Sequence, residues 1–199
     1  MANRSGRKYG LTTLFPIKAG THCAELRTYL RSLDNPVVYP NGSPLCEVPM
    51  VHMARFVIID RLAYQGFPAR CDYLNWQYLL FMCDFDGEEL EPLVEAIIER
   101  ISAVATSIWE HCAGFPGTAS RDVLTAYFEK CQLETTLFLA DRPEETVSDI
   151  LKALMVKRAF SQFVAQVEQT QPPADVLQRD FWAMWRTLEG SATPQPGSL

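Results

Sequence analysis

The chain has 199 residues, with 18 Lys and Arg against 24 Asp and Glu, and a formal net charge of −6. At 48% hydrophobic and 21% charged residues it has the composition of a folded globular protein, which excludes a wholly disordered chain. The acidic balance excludes a general nucleic-acid binder, and no apolar run approaches the roughly 20 residues of a membrane helix.

Residues 1–8 are basic and read as a flexible N-terminus. The stretch that follows, Tyr9 to Ile17, is too short and too polar for a signal-peptide core, so a cytoplasmic location is expected. The six cysteines, Cys23, Cys46, Cys71, Cys83, Cys112 and Cys131, stand singly with no CxxC pair and read as free thiols.

Tyr9 to Lys18 has strand character, with Leu11, Thr13 and Phe15 on one face. Thr21 can cap a helix in which Leu26, Tyr29, Leu30 and Leu33 recur at helical spacing, and Asp34-Asn35-Pro36 ends it. Residues 35–50 hold four prolines and Asn41-Gly42, which predicts a long loop of the kind that often carries function. Val51 to Asp60 is the clearest strand. Its half from Phe56 to Ile59 is apolar on both faces, which predicts a central, buried position. Strict alternation puts His52, Ala54, Phe56 and Ile58 on one face and Met53, Arg55, Val57 and Ile59 on the other.

A second long connection, 61–77, carries Tyr64, Phe67, Tyr73 and Trp76, and Tyr78 to Phe85 is another buried strand. Asp86 and Glu89 fit a capping box for a helix of about five turns through Leu90, Leu93, Val94, Ile97, Ile101 and Ile108, with Gly114 as its stop. Ser120 can cap a short helix over 121–131, and Glu134 to Ala140 reads as a strand. Asp141-Arg142-Pro143-Glu144 repeats the capping logic for a helix to about residue 168. Pro172-Pro173 breaks it. An amphipathic helix over 174–189 follows, then a disordered tail, 190–199.

This order, β-α-β-β-α-(α)-β-α, predicts a ferredoxin-like α+β domain over 9–168, with helices on one face of a four-stranded antiparallel sheet and extra C-terminal helices. The other face needs cover. A second copy would supply it as a dimeric α+β barrel, or the terminal helix would.

In Val51-His52-Met53-Ala54-Arg55-Phe56, in Asp84-Phe85-Asp86-Gly87 and in His111-Cys112-Ala113-Gly114-Phe115-Pro116, the chain resembles a group of bacterial proteins of largely unassigned function. The resemblance covers about residues 9–165. It extends distantly to the dye-decolourising peroxidase and chlorite dismutase superfamily. It implies a ferredoxin-like domain, oxygen- or peroxide-linked oxidoreductase chemistry, and haem as a candidate cofactor. The superfamily's distal motif is GxxDG, and Cys83-Asp84-Phe85-Asp86-Gly87 keeps only its last two residues.

Four residues are the candidates for catalysis. His52 is suited to acid–base work at a strand end. Arg55, expected within a buried strand, must meet a carboxylate (Asp60, Asp84 or Asp86) or anchor an anionic ligand. Asp84 is the freer of two carboxylates at a strand end. His111 is placed as a polar pocket group. The expected pocket lies between the sheet and the loops 35–50 and 61–77. The three histidines form no HxxxH or HxH, so no metal site is expected. No P-loop, GxGxxG, GxSxG or HExxH is present. Two functions fit: a small-molecule enzyme, or a non-catalytic accessory protein docking through the helix with Trp182 and Trp185. The expected partners are a small-molecule ligand and a second copy, with neither nucleic acid nor membrane.

Overall fold

The computed structural model describes residues 2–39, 42–64, 66–68 and 73–198. Four strands, β1 (Arg4–Ser5), β2 (Lys8–Pro16), β3 (Val51–Arg61) and β4 (Tyr73–Asp86), form one sheet in the order β1-β2-β4-β3. Every neighbouring pair is antiparallel. Five helices accompany it: α1 (His22–Ser32), α2 (Glu91–Trp109), α3 (Arg121–Cys131), α4 (Val147–Thr170) and α5 (Ala174–Glu189). The protein is therefore α+β with an open four-stranded antiparallel sheet. The long strands lie in the spatial order first, third, second, consistent with a ferredoxin-like arrangement.

The alternation read in the sequence explains the core. Leu11 and Phe15 of β2, and Leu79, Phe81, Cys83 and Phe85 of β4, point to one face and are buried. Helix α2 covers them with Leu93, Val94, Ile97, Ile101 and Ile108, and α3 adds Leu124 and Phe128. Trp109, at the end of α2, packs its indole against Phe15, Phe81 and Phe128 with ring centroids 6.0, 5.4 and 5.0 Å away. Burial of each such side chain contributes about 1.5–3 kcal/mol.

Several expectations are corrected. The strand expected over 134–140 does not form. The chain leaves α3 along the free edge of β2, where Gln132 bridges Thr13 and Leu133 N–H donates to the Thr12 carbonyl. It then departs from the edge, and the Phe138 ring lies against Gly10, where an added Cβ would meet it at 2.7 Å. The fourth strand is instead β1, turned back onto β2 through Gly6, whose φ of +58° favours glycine. Strand β3 is not central but an edge strand, and Met53 and Val57 on its second face are exposed. Among the described residues nothing fully covers Met53 and Val57.

The helix caps also differ. Helix α2 starts at Glu91, so Asp86 does not cap it. Helix α4 is opened not at Asp141 but by a capping box between Thr146 and Asp149. Helices α4 and α5 pack mainly on one another, with the Phe163 and Phe181 rings 6.0 Å apart. Leu154, Phe160 and Trp182 stay exposed on this hairpin. Among the described residues Cys23, Cys46, Cys83, Cys112 and Cys131 are free thiols, and Cys71 lies outside them. No helix of the described residues is long and apolar enough to cross a membrane.

Candidate functional site

The site is built where β2 begins and β4 ends. Lys8 and Asp86 are register partners across these strands. On the other side of β4, Val51 pairs with Phe85 while Met53 pairs with Asp84, so His52 is an extra residue at a bulge. The bulge changes its surroundings. Strict alternation would send His52 to the core face with Ala54 and Phe56. Instead its ring reaches Asp86, and His52 Nε2 lies 2.7 Å from Asp86 Oδ1.

Asp86 binds on both sides. Its second oxygen, Oδ2, accepts the Val147 backbone N–H at 2.8 Å, so one carboxylate holds the imidazole and the first N–H of α4. The His52 and Asp86 side chains are only 15% and 18% exposed. Lys8 is 7% exposed, and its Nζ lies 3.1 Å from His52 Nε2 and 3.4 Å from Nδ1. An ammonium only donates. Nζ stands against the ring, closer to Nε2 than to Nδ1 and off the lone-pair direction of either, so the directed hydrogen bond of the imidazole is the one with Asp86. The imidazole is thus held at Nε2 by a carboxylate and flanked by a cation.

Beside this group a cavity of about 210 Å³ is lined by Met53, Ala54, Arg55, Met82, Cys83 and Asp84. Burial pushes the Asp84 carboxyl up from its ordinary value, against the opposing pull of His52, Lys8 and Arg55. Arg55 does not lie in a buried strand interior as expected. It is exposed on the second face of β3, and its guanidinium meets the Met82 sulfur at 3.1 Å. Asp60 pairs with Arg27 at 2.6 Å, not with Arg55. The edge position of β3 explains the difference, because water reaches the guanidinium.

Three of the four predicted residues, His52, Arg55 and Asp84, therefore share one neighbourhood. His111 does not. Its carbonyl accepts the Lys18 N–H, just past the far end of β2. At about 3.3 Å per residue this is roughly 30 Å along the strand from Lys8. His111 instead faces His22, with the two Nδ1 atoms 3.1 Å apart. Burial pushes the neighbouring Cys112 thiol up to about 12, so it is no thiolate nucleophile.

Lys8 is the member of this cluster that sequence reading missed. It sits among basic residues that read as a solvated end, and its place opposite Asp86 in the sheet brings its ammonium to the His52 ring. The second loop of the expected pocket falls partly at 69–72, outside the described residues.

The site does not fit haem. Both Asp86 oxygens and His52 Nε2 already have partners, and the Lys8 ammonium, 3.4 Å from His52 Nδ1, opposes a cationic iron there. The adjoining cavity is also below the roughly 300–1,000 Å³ of sites that take drug-sized ligands. A cavity of about 560 Å³ lies between α4 and α5, but Asp180 is the one ionisable residue in its lining. No family model, curated protein or solved structure matches the chain.

Proposed function

We propose that this protein is a small-molecule enzyme whose chemistry is proton transfer at His52. The observation that supports this reading is the pairing of His52 with Asp86 at 2.7 Å beside the Asp84-lined cavity. An imidazole held by a carboxylate on one nitrogen is oriented for general acid–base work. Asp84, with its carboxyl raised by burial, serves as the complementary acid. Arg55, whose guanidinium forms no salt bridge among the described residues, stands at the cavity wall and anchors a carboxylate of the substrate. The cavity volume limits the substrate to a few heavy atoms, and a small 2-oxo acid meets each requirement. The oxygen- or peroxide-linked oxidoreductase implied by the resemblance is a different class, because proton transfer at His52 changes no oxidation state.

The second face of the sheet carries Met53 and Val57 exposed, and we place a second copy over it, closing the cavity from above. The test is binding. Histidine-labelled protein gives three imidazole signals, one per histidine. Titration with pyruvate shifts the His52 signal alone, and Arg55→Ala weakens that response at least tenfold. No shift up to high millimolar pyruvate, or an equal response in Arg55→Ala, removes the reading. A second reading, a non-catalytic accessory protein, is favoured by the exposed Trp182 and Phe160 on the α4–α5 hairpin, which would be its docking surface.

A further inference from the structure

The other two histidines come together at the opposite end of β2. His22 is the first residue of α1, and Glu25 stands one turn later on the same helix face. His111 follows α2 and is fixed by its neighbours: Lys18 N–H donates to its carbonyl at 2.9 Å, Ala113 N–H donates to the Pro16 carbonyl at 2.7 Å, and Cys112 bridges Ile17. The cluster therefore joins a helix start to a clamped turn. The two Nδ1 atoms are 3.1 Å apart, and Glu25 Oε2 lies 3.9 Å from His22 Nδ1 and 3.8 Å from His111 Nδ1.

These three atoms form a triangle that a cation can occupy. A triangle of those sides has a circumradius of about 2.1 Å, so one point lies at that distance from all three, within the 2.0–2.2 Å of zinc–imidazole and zinc–carboxylate bonds. We infer that His22, Glu25 and His111 bind a divalent transition metal of the zinc class, with solvent in the remaining coordination position. Two neutral imidazoles and one carboxylate are a donor set suited to zinc and its first-row neighbours. The His111 side chain is 12% exposed while Glu25 is 54% exposed, so one ligand is held firmly and another faces water. That asymmetry suits an open coordination position. Without metal, the short Nδ1 to Nδ1 distance is an N–H···N hydrogen bond, and the ion replaces it.

The site is independent of the acid–base reading at His52, and its test separates the two. The reduced full-length chain is stripped with a chelator, then titrated with zinc by calorimetry and with cobalt by absorption. The expected result is one zinc per chain, with a cobalt spectrum free of thiolate charge-transfer bands. His22→Ala and His111→Asn weaken zinc at least a hundredfold, Glu25→Gln at least tenfold, and His52→Ala not at all. In histidine-labelled protein the His22 and His111 signals move with zinc and the His52 signal stays. His22→Ala guards against a folding artefact, because this residue opens a helix at the surface and circular dichroism reports whether α1 persists. Zinc affinity unchanged in folded His22→Ala, binding lost on thiol alkylation instead, or no binding at 100-fold molar excess would overturn the inference.

Discussion

Asp86 carries two connections at once, and its removal is the sharpest test of how the proposed acid–base site is held. Asp86→Ala deletes the acceptor of His52 Nε2–H at 2.7 Å and of the Val147 N–H at 2.8 Å. It also removes a negative charge near the Lys8 ammonium, which is 7% exposed and touches the same imidazole. Hydrogen bonds to a charged group contribute about 1.5–3 kcal/mol each. Two such bonds together are worth about 3–6 kcal/mol, and the partial exposure of both side chains places the loss toward the lower end. The expected loss is therefore about 3–5 kcal/mol. Asp86→Asn keeps one carbonyl acceptor and should lose about half as much. With a urea m-value of about 2–3 kcal/mol/M, Asp86→Ala lowers the unfolding midpoint by more than about 1 M. Lys8→Met in the Asp86→Ala background should recover part of that loss, because it removes the stranded charge. A loss below about 1 kcal/mol for Asp86→Ala, with no recovery on adding Lys8→Met, would refute the coupling of these three residues.

Further outcomes follow from the same structure. Because burial raises the Asp84 carboxyl in the folded state, the native chain binds the proton more readily than the unfolded chain. Asp84 therefore contributes stability below its unfolded pKa, and loses it as pH rises through its folded value. Melting curves across pH 3.5–7 should show this decline in the native protein and not in Asp84→Asn, which should be at least as stable at pH 7. Trp109 fills the centre of the aromatic cluster with an indole N–H that has no acceptor among the described residues. Trp109→Ala should cost about 3–5 kcal/mol, while Trp109→Phe, which also removes the orphan N–H, should cost less than half of that. Light scattering should give a dimer mass. Val57→Glu, on the exposed second face of β3, should shift it toward monomer with the fold retained by circular dichroism; a monomer in both would leave the sheet face uncovered in solution.

The parts of this fold that were legible in sequence are those where periodicity and burial agree. The spacing of Leu93, Val94, Ile97, Ile101 and Ile108 marks the buried face of α2, and the alternation of Leu79, Phe81, Cys83 and Phe85 marks the core face of β4. The stretch 134–140 has strand-like residues but no ladder partner, since β1 and Gln132 occupy the edge of β2 it would need. Strand character measures how well a pleated surface fits, and a neighbouring strand must exist for it to count. His52 was singled out in the sequence, yet its face was not predictable. A bulge adds one residue to a strand and moves the side chain, and no local sequence pattern announced it. Asp86 was read as the cap of the helix next to it. It serves the first N–H of α4 instead, a contact across 61 positions of sequence. The pairing of His111 with His22 is likewise long-range. The spacing of His22 and Glu25 was readable on one helix, but the third group comes from another element.

The central claim is proton transfer by His52, and hydrogen–deuterium exchange at the C3 position of pyruvate in heavy water, followed by proton NMR, tests it most directly. Pyruvate serves as the small carbon acid that matches the cavity and the Arg55 guanidinium. The account predicts enzyme-dependent loss of the methyl signal. His52→Ala should slow it at least a hundredfold, in line with the 10²–10⁴-fold typical of general acid–base catalysis, while leaving pyruvate binding within about threefold. Exchange that is equal in the native protein and in folded His52→Ala would contradict it.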